Sequence, residues 1–370
     1  MKILYVTTIG STMGFFYEHF KMLIKDGCEI ELACGDAKPI NDKIASLGLS
    51  LHKIPFSRSP MSKDNLKAYK QLKTLIENKS YDIVHCHTPV ASFITRLVCR
   101  KFRKKMGLKV FYTAHGFHFY KGAPNLNWLL FYPIEKFCSY FTDKLITINT
   151  EDYELAKRKF KAKEVYYVPG VGVDLSKFED ICADKSAKRL EIGVPEDAKL
   201  LLSVGELNKN KNHQVIIQAL AKLDDANIHY AIAGIGDQKE NLQNLAKELG
   251  VEKQVHLLGF RTDVPELNSV SDVFCFPSRR EGLGLASIEA MSCGLPIITS
   301  NVHGINDYSL NGVTGYKYSP DDVCGFAGAI RDLMDNASLI EKMGAYNKKY
   351  VKKYEVSVIL RTMREVFEIE

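Results

Sequence analysis

Apolar residues in this chain fall in short, nearly unbroken runs. Longer stretches between the runs carry apolar positions at helical spacing. In residues 1–170 the runs are KILYVTT (2–8), EIELACG (29–35), DIVHCHT (82–88), KVFYTAHG (109–116), KLITINT (144–150) and EVYYVPG (164–170). They are rich in Val, Ile and Tyr and close on turn or capping residues, which predicts strands. The amphipathic stretches 15–25, 64–78 and 151–160 predict helices between them. Strands without a polar face, separated by helices, predict a parallel sheet covered on both sides.

The pattern then restarts. VPGVGVDLSKF (168–178) and the polar stretch to Asp197 predict a linker. Beyond it come KLLLSVGEL (199–207), IHYAIAGIG (228–236), QVHLLGF (254–260), VFCFPS (273–278) and PIITSN (296–301), again with helical stretches between them. From about residue 321 the tail predicts several helices in succession. A chain of 370 residues exceeds one ordinary core. The expected architecture is therefore α/β, with two doubly wound, Rossmann-like domains at 1–170 and 171–350 facing a central cleft. Residues 351–370 are expected to form a terminal helix packing back on the first domain.

Composition changes this picture little. Hydrophobic residues make up 46% and charged residues 25%, as in a soluble globular protein. No run of about 18 apolar residues predicts a spanning helix, and MKILYVTTIG reads as a buried strand rather than a leader. The nine cysteines never fall as C-x-x-C, which argues for reduced thiols, no zinc site and a cytoplasmic setting. Charge adds more. The net +6 conceals a strongly basic first half and a net acidic remainder, so the first domain suits an anionic partner such as a membrane surface.

In doubly wound sheets, ligands sit at the carboxyl ends of strands, so the residues that follow strands carry the chemistry. TIGSTMG (8–14) places Gly10 and Gly14 where backbone amides can approach a phosphate. In HCH (85–87), His85 and His87 share one strand face and Cys86 takes the other; no acid or second cysteine completes a metal set, so a structural or cleft-facing role is expected. TAHGFHFY (113–120) puts His115 at a strand end, with His118 a weaker candidate. SVGELNKNKNH (203–213) puts Gly205 at another strand end and Lys211 and Asn212 at a helix start, where a cation suits a diphosphate. Gly234, Phe260 and Arg261 close two further strands, where backbone can read a base edge and Arg261 can reach a phosphate. In RREGLGLASIEAM (279–291), Gly282, Leu283, Gly284 and Leu285 form a strand-to-helix turn whose amides can receive an anion. Glu289 falls about one turn into that helix, a good acceptor for ribose hydroxyls. Glu281, before the turn, can accept from a sugar.

Together these motifs resemble the retaining glycosyltransferases of family 4, which have the B-type fold. The resemblance covers essentially the whole chain and rests on EGLGLASIE, GEL with the following KN, and HG. SVGELNKNKNH and TAHGFHFYKGAP are most similar to bacterial enzymes that build capsule or exopolysaccharide units on a lipid carrier. The resemblance implies that Glu289 holds the donor ribose. Glu281 and the 282–285 backbone would hold sugar and diphosphate, Lys211 would neutralise the diphosphate, and His115 would contact the donor sugar. It implies a nucleotide-sugar donor, with uridine the favoured base and guanosine left open, no cofactor and no metal. One position departs: the family usually carries arginine where this chain has Glu206, which leaves the phosphate clamp to Lys211 with help from Lys209, Arg261 or Arg279.

The expected reaction transfers a hexose or N-acetylhexosamine to a polyprenyl-diphosphate-linked saccharide with retention, at the inner face of the cell membrane. Domain closure would exclude water. Acceptor and membrane contacts are expected from Arg100, Lys101, Arg103, Lys104, Lys105 and Trp128 in the first domain. Two other classes stay open: an isomerase of the sugar-nucleotide 2-epimerase kind, and a sugar-nucleotide sensor without activity. The basic segments lack the modules of single-strand readers, so nucleic acid is not expected.

Overall fold

The computed structural model describes residues 1–179, 181 and 183–369. The chain divides into two compact units, one of residues 1–172 continued from Val356 onward, the other Val173–Glu355. Among the described residues the first unit has seven strands: β1 (Lys2–Ile9), β2 (Glu29–Gly35), β3 (Ser50–Lys53), β4 (Ile83–His87), β5 (Lys109–Ala114), β6 (Lys144–Thr147) and β7 (Glu164–Tyr167). They pair in parallel in the order β3-β2-β1-β4-β5-β6-β7. Helices α1 (Tyr17–Lys25), α2 (Asp42–Ala45), α3 (Asp64–Asn78), α4 (Pro89–Met106), α5 (Asn125–Ser139) and α6 (Thr150–Lys159) connect them.

The second unit repeats the plan with β8 (Lys199–Val204), β9 (Ile228–Ala233), β10 (Val255–Gly259), β11 (Val273–Phe276), β12 (Ile297–Ser300) and β13 (Gly315–Tyr318), in the order β10-β9-β8-β11-β12-β13. Its helices are α7 (Lys185–Glu191), α8 (Gln214–Leu223), α9 (Lys239–Glu248), α10 (Val264–Val270), α11 (Leu285–Ser292), α12 (Val323–Met334) and α13 (Ala337–Tyr350). α7 lies inside the stretch expected to be a linker. The architecture is the predicted α/β pair of parallel-sheet, Rossmann-like domains.

Strand runs and buried strands coincide for a physical reason. β4 is buried at every position, and β1 from Ile3 onward, because helices cover both faces of the sheet. The pattern overlooks β3 and β13, which read SLHK and GYKY. Both are four-residue edge strands, half-exposed, without enough apolar positions to show a period.

The final helix, α14 (Val356–Phe367), belongs to the first unit. Ile359, Met363, Val366 and Phe367 join the core with Tyr5, Phe20 and Phe111. The buried Lys144 ammonium donates to Val366 O at 2.8 Å and to Glu368 Oε1 at 2.6 Å. Arg364 donates twice to Asp26. This return is expected from 351, but residues 351–355 stay with the second unit. There Tyr354 packs on Tyr308 and donates to Asp307 O, while its own carbonyl receives Val173 N–H.

One buried charge ties the sheet edge together. Glu31 on β2 is 3% exposed. Its carboxylate accepts from Tyr81 Oη and His52 Nε2 at 2.6 Å and from Lys79 Nζ at 2.7 Å, and lies 3.0 Å from Lys2 Nζ. Burial alone raises a carboxyl pKa. Here hydrogen bonds from Lys79, Tyr81, His52 and Lys2 outweigh it and hold the group well below the usual carboxylate range. A depressed carboxyl contributes stability above its unfolded pKa of about 4.3, and the contribution fades as pH falls below that value. Glu31→Gln is expected to lower unfolding free energy at pH 7 by about 3 kcal/mol, because it leaves cations without their partner. Urea melts at pH 7 and pH 4 check this, with the gap between wild type and variant narrowing at the lower pH.

Candidate active site

A crevice forms in a parallel sheet where strand order reverses, because the flanking crossovers leave in opposite directions. In the second unit the reversal lies between β8 and β11, so residues 205–213 and 277–285 meet there. Asn210 joins the two segments: its side-chain amide donates to Arg280 O at 2.9 Å, and its carbonyl receives Arg279 N–H at 2.8 Å. Lys211 N–H donates to Asn208 Oδ1 at 2.9 Å, which shapes the turn. The lysine stem runs past Gly205, where a β-carbon would fall 3.2 Å from Lys211 Cε. Its ammonium lies 4.5 Å from the Phe276 ring centroid and donates to Glu281 Oε2 at 2.7 Å. Lys211 and Glu281, 70 residues apart in sequence, thus form one partly exposed ion pair at the switch point.

α11 starts directly after Gly284, whose φ of 91° demands glycine. A β-carbon there would also strike Phe276 and Tyr308. The helix has no capping side chain and no acid in its first turn. Its leading amides therefore form a neutral, electropositive end suited to an anion. Glu289, one turn in, is partly buried. Burial raises its pKa and Lys177 opposes the shift. Among the described residues its carboxylate has no hydrogen-bond partner, unlike that of Glu281.

Other expected contacts differ in how far packing occupies them. Asn212 is 2% exposed, in a left-handed conformation, and its amide donates to Pro277 O and Pro320 O. It is committed to holding the loop, so its side chain is not presented to a ligand. Leu283 is buried, which leaves only its backbone to serve. Arg261 donates to Asp263 at 2.8 Å and to Glu191 at 2.5 Å, and these acids stabilise its charge. At Gly234 a β-carbon would fall 1.8 Å from Gly205 O, because the two loops run backbone against backbone. Phe260 is 74% exposed beyond β10. Glu206 is exposed and accepts from Asn208 Nδ2, and Arg279 is paired with Asp321.

In the first unit the reversal lies between β1 and β4. Thr8 and Thr88 hydroxyls meet there at 2.7 Å. Gly10 and Gly14 lie in a 3₁₀ turn, Gly10–Phe16, and both are pressed against residues 38–41. Backbone packing requires glycine at 10, whereas at 14 the close neighbour is the side-chain amide of Asn41. His115, just past β5, is exposed, and its Nε2 lies 3.1 Å from Nδ1 of buried His87. Crowding by packed atoms, then the His19 charge, lowers the His115 pKa to about 4, so the ring is neutral at pH 7. The spacing in HCH put His87 on the same face as His85, but pairing with His115 needs β4 and β5 side by side. Among the described residues no three His, Cys, Asp or Glu groups cluster as a metal site.

The basic helix divides in two. Arg96 is buried, with Nη1 2.8 Å from Glu135 Oε2 and its guanidinium 4.0 Å over Tyr112. Arg103 donates twice to Asp143 and once to Tyr140 O, so it braces α4 rather than facing a membrane. Arg100, Lys101, Lys104 and Lys105 are exposed. Trp128 packs against Phe119 and Tyr132 and donates to Tyr120 O, which turns it toward the core.

Comparison with known proteins now fits this geometry. Residues 184–350 match the family model described as glycosyl transferases group 1, and residues 2–149 match the one described as glycosyl transferase 4-like. The chain is 36% identical to putative glycosyltransferase EpsD of Bacillus subtilis, over 99% of this chain and 96% of that one. It is 28% identical to the Escherichia coli UDP-Gal:alpha-D-GlcNAc-diphosphoundecaprenol alpha-1,3-galactosyltransferase, over 87% and 84%. The crystal structure of Anabaena HepE with UDP and glucose superposes with a TM-score of 0.80 at 17% identity, covering 100% of this chain and 99% of that one. The chain belongs to the family-4 glycosyltransferases, and its fold is that of the B-type class.

The contrast between packing and open positions can be measured. Gly234→Ala is expected to destabilise the second unit by about 2 kcal/mol or more through overpacking, whereas Phe260→Ala should stay within about 0.5 kcal/mol of wild type. Denaturant melts of both variants decide it.

Proposed function

We propose that this glycosyltransferase moves a hexose or N-acetylhexosamine from a UDP-sugar to a lipid-linked saccharide, with retention of configuration, in exopolysaccharide or related surface-glycan synthesis. The observation that carries the reading is the cluster at the β8/β11 reversal. It combines the Lys211–Glu281 pair, the uncapped start of α11 and the carboxylate of Glu289, which has no hydrogen-bond partner among the described residues. The names of relatives point the same way: one binds UDP and glucose, and another acts on a diphosphoundecaprenol-linked sugar.

Each group has a task in this reading. Lys211 and the α11 amides stabilise charge on the departing diphosphate. Glu281, held by Lys211, accepts from hydroxyls of the transferred sugar. Glu289 accepts from the ribose. His115, neutral at pH 7, contacts the donor sugar. The departing phosphate takes the acceptor proton, so no hydrolase-type carboxylate pair is required. Charge compensation comes from side chain and backbone, so the reading calls for no metal.

The same reading seats the first unit on an anionic membrane at the inner face of the cell. α5 supports it with two apolar faces. One, with Trp128, Phe131 and Tyr132, packs on the core. The other exposes Leu126, Leu129, Leu130, Ile134 and Phe137. The Arg103 bond to Tyr140 O brings the exposed cations of α4 beside the end of this stripe. Apolar side chains flanked by cations suit an anionic interface. No described helix is long and apolar enough to cross a membrane.

A panel of nucleotide sugars with a polyprenyl-linked acceptor, read by mass spectrometry, tests the reaction. Transfer from a UDP-sugar is expected, and no transfer or UDP release across the panel would defeat the reading. Lys211→Met and Glu289→Ala should each weaken UDP binding about 10–100-fold, the worth of one charge-assisted hydrogen bond. Changing residues 100, 101, 104 and 105 to Gln should reduce binding to phosphatidylglycerol vesicles at least about tenfold, given about 1 kcal/mol per cation. Unchanged vesicle binding would remove the membrane part of the reading.

A further inference from the structure

Four histidines meet behind the end of β5, yet the chemistry assigned above uses only His115. His85 and His87 lie on β4, and His19 on α1. His87 is 1% exposed. Its ring stacks on Tyr5 at 14° and sits 4.2 Å from the Phe16 centroid. Its Nδ1 faces His115 Nε2 at 3.1 Å, and among the described residues its own Nε2 has no partner. Burial, reinforced by neighbouring histidines, pushes the His87 pKa down, so this ring is neutral too.

Two neutral rings share one hydrogen bond, and each carries a single N–H. The tautomers follow from what surrounds them. If His115 Nε2–H were the donor, His87 would accept at Nδ1 and its hydrogen would sit on Nε2. That hydrogen would be a buried N–H with no acceptor among the described residues. If His87 Nδ1–H is the donor, its Nε2 is a bare lone pair. Buried N–H groups without acceptors are rarer than unused acceptors, so the second arrangement prevails. His115 then accepts at Nε2, and its own hydrogen sits on Nδ1.

We propose that His87 is a positioning residue that locks His115 in the Nδ1–H tautomer, so that His115 presents a hydrogen-bond donor rather than an acceptor to the transferred sugar. The tautomer follows from the first unit alone, and its use toward sugar rests on the transferase reading. The arrangement matches the way second partners orient functional histidines elsewhere, by fixing both ring rotation and proton position. It also gives the HCH segment a use. His87 reaches His115, while His85 Nε2 pairs with the Thr113 hydroxyl at 2.8 Å and fixes the neighbouring ring.

Long-range proton–nitrogen NMR of the full chain with labelled histidine reads the tautomer directly, with His115→Gln used for assignment. The wild type should show His115 protonated at Nδ1. His87→Asn keeps a donor amide near the Nδ1 position and should keep that form. His87→Leu removes the donor and should give a mixture of tautomers. In transfer assays the Leu variant should lose kcat about tenfold or more with KM little changed, as is typical when an outer partner of a functional histidine is removed, and Asn should restore most of it. A wild-type His115 protonated at Nε2 would overturn the proposal, as would a tautomer unaffected by His87→Leu. If the tautomer shifts as expected while no nucleotide sugar supports transfer, the proton lock stands and the transferase reading fails.

Discussion

A parallel strand cannot be reached by a tight turn. Each successive strand needs a crossover, and each crossover returns the chain to the same edge of the sheet. Both units obey this constraint, so in each the carboxyl ends of the strands share one edge. Strand order then reverses once per sheet, between β1 and β4 and between β8 and β11. Connections leave these points in opposite directions, and the space they open is where Lys211 and Glu281 meet. The partners of the site are thus chosen by topology before any ligand is considered.

Charge at that point is arranged economically. One ammonium, one carboxylate bonded to it and a helix start without a cap stand together. Glu289 adds a second carboxylate that no other described residue hydrogen-bonds. Where the family usually has arginine, Glu206 is turned to Asn208 and solvent. Of the other cations named for the phosphate, Arg279 and Arg261 are held by Asp321, Asp263 and Glu191, and Lys209 is exposed on the 205–213 loop. Lys211, Lys209 and the α11 amides are therefore the groups left to meet a diphosphate within this unit.

The first unit is built on the opposite electrostatic principle. His19, His85, His87 and His115 are crowded together and neutral, and the buried carboxylate of Glu31 on β2 is surrounded by donors. Its cations divide by burial: Arg96, Arg103 and Lys144 brace helices to the sheet, while Arg100, Lys101, Lys104 and Lys105 remain in solvent. All of these but Lys144 lie in one basic segment of the sequence, 96–109. Only the contacts of α4 with α5 and with Asp143 separate its structural cations from those free to meet another surface.

The sequence by itself determined what depends on local period and backbone chemistry. Eleven strand runs, the restart of the α/β pattern and the glycine turn before α11 were legible because burial on both faces leaves unbroken apolar runs and a left-handed turn demands glycine. β3 and β13 were not legible, since short edge strands carry no such pattern. Tertiary structure decided which residues are partners. Lys211 meets Glu281 across 70 residues, and His87 meets His115 across β4 and β5. Gly10, Gly234 and Asn212 carry the same letters as ligand-binding residues, but neighbouring backbone explains them. A side chain's direction and company are set by which strands lie side by side, and a linear pattern holds no record of that.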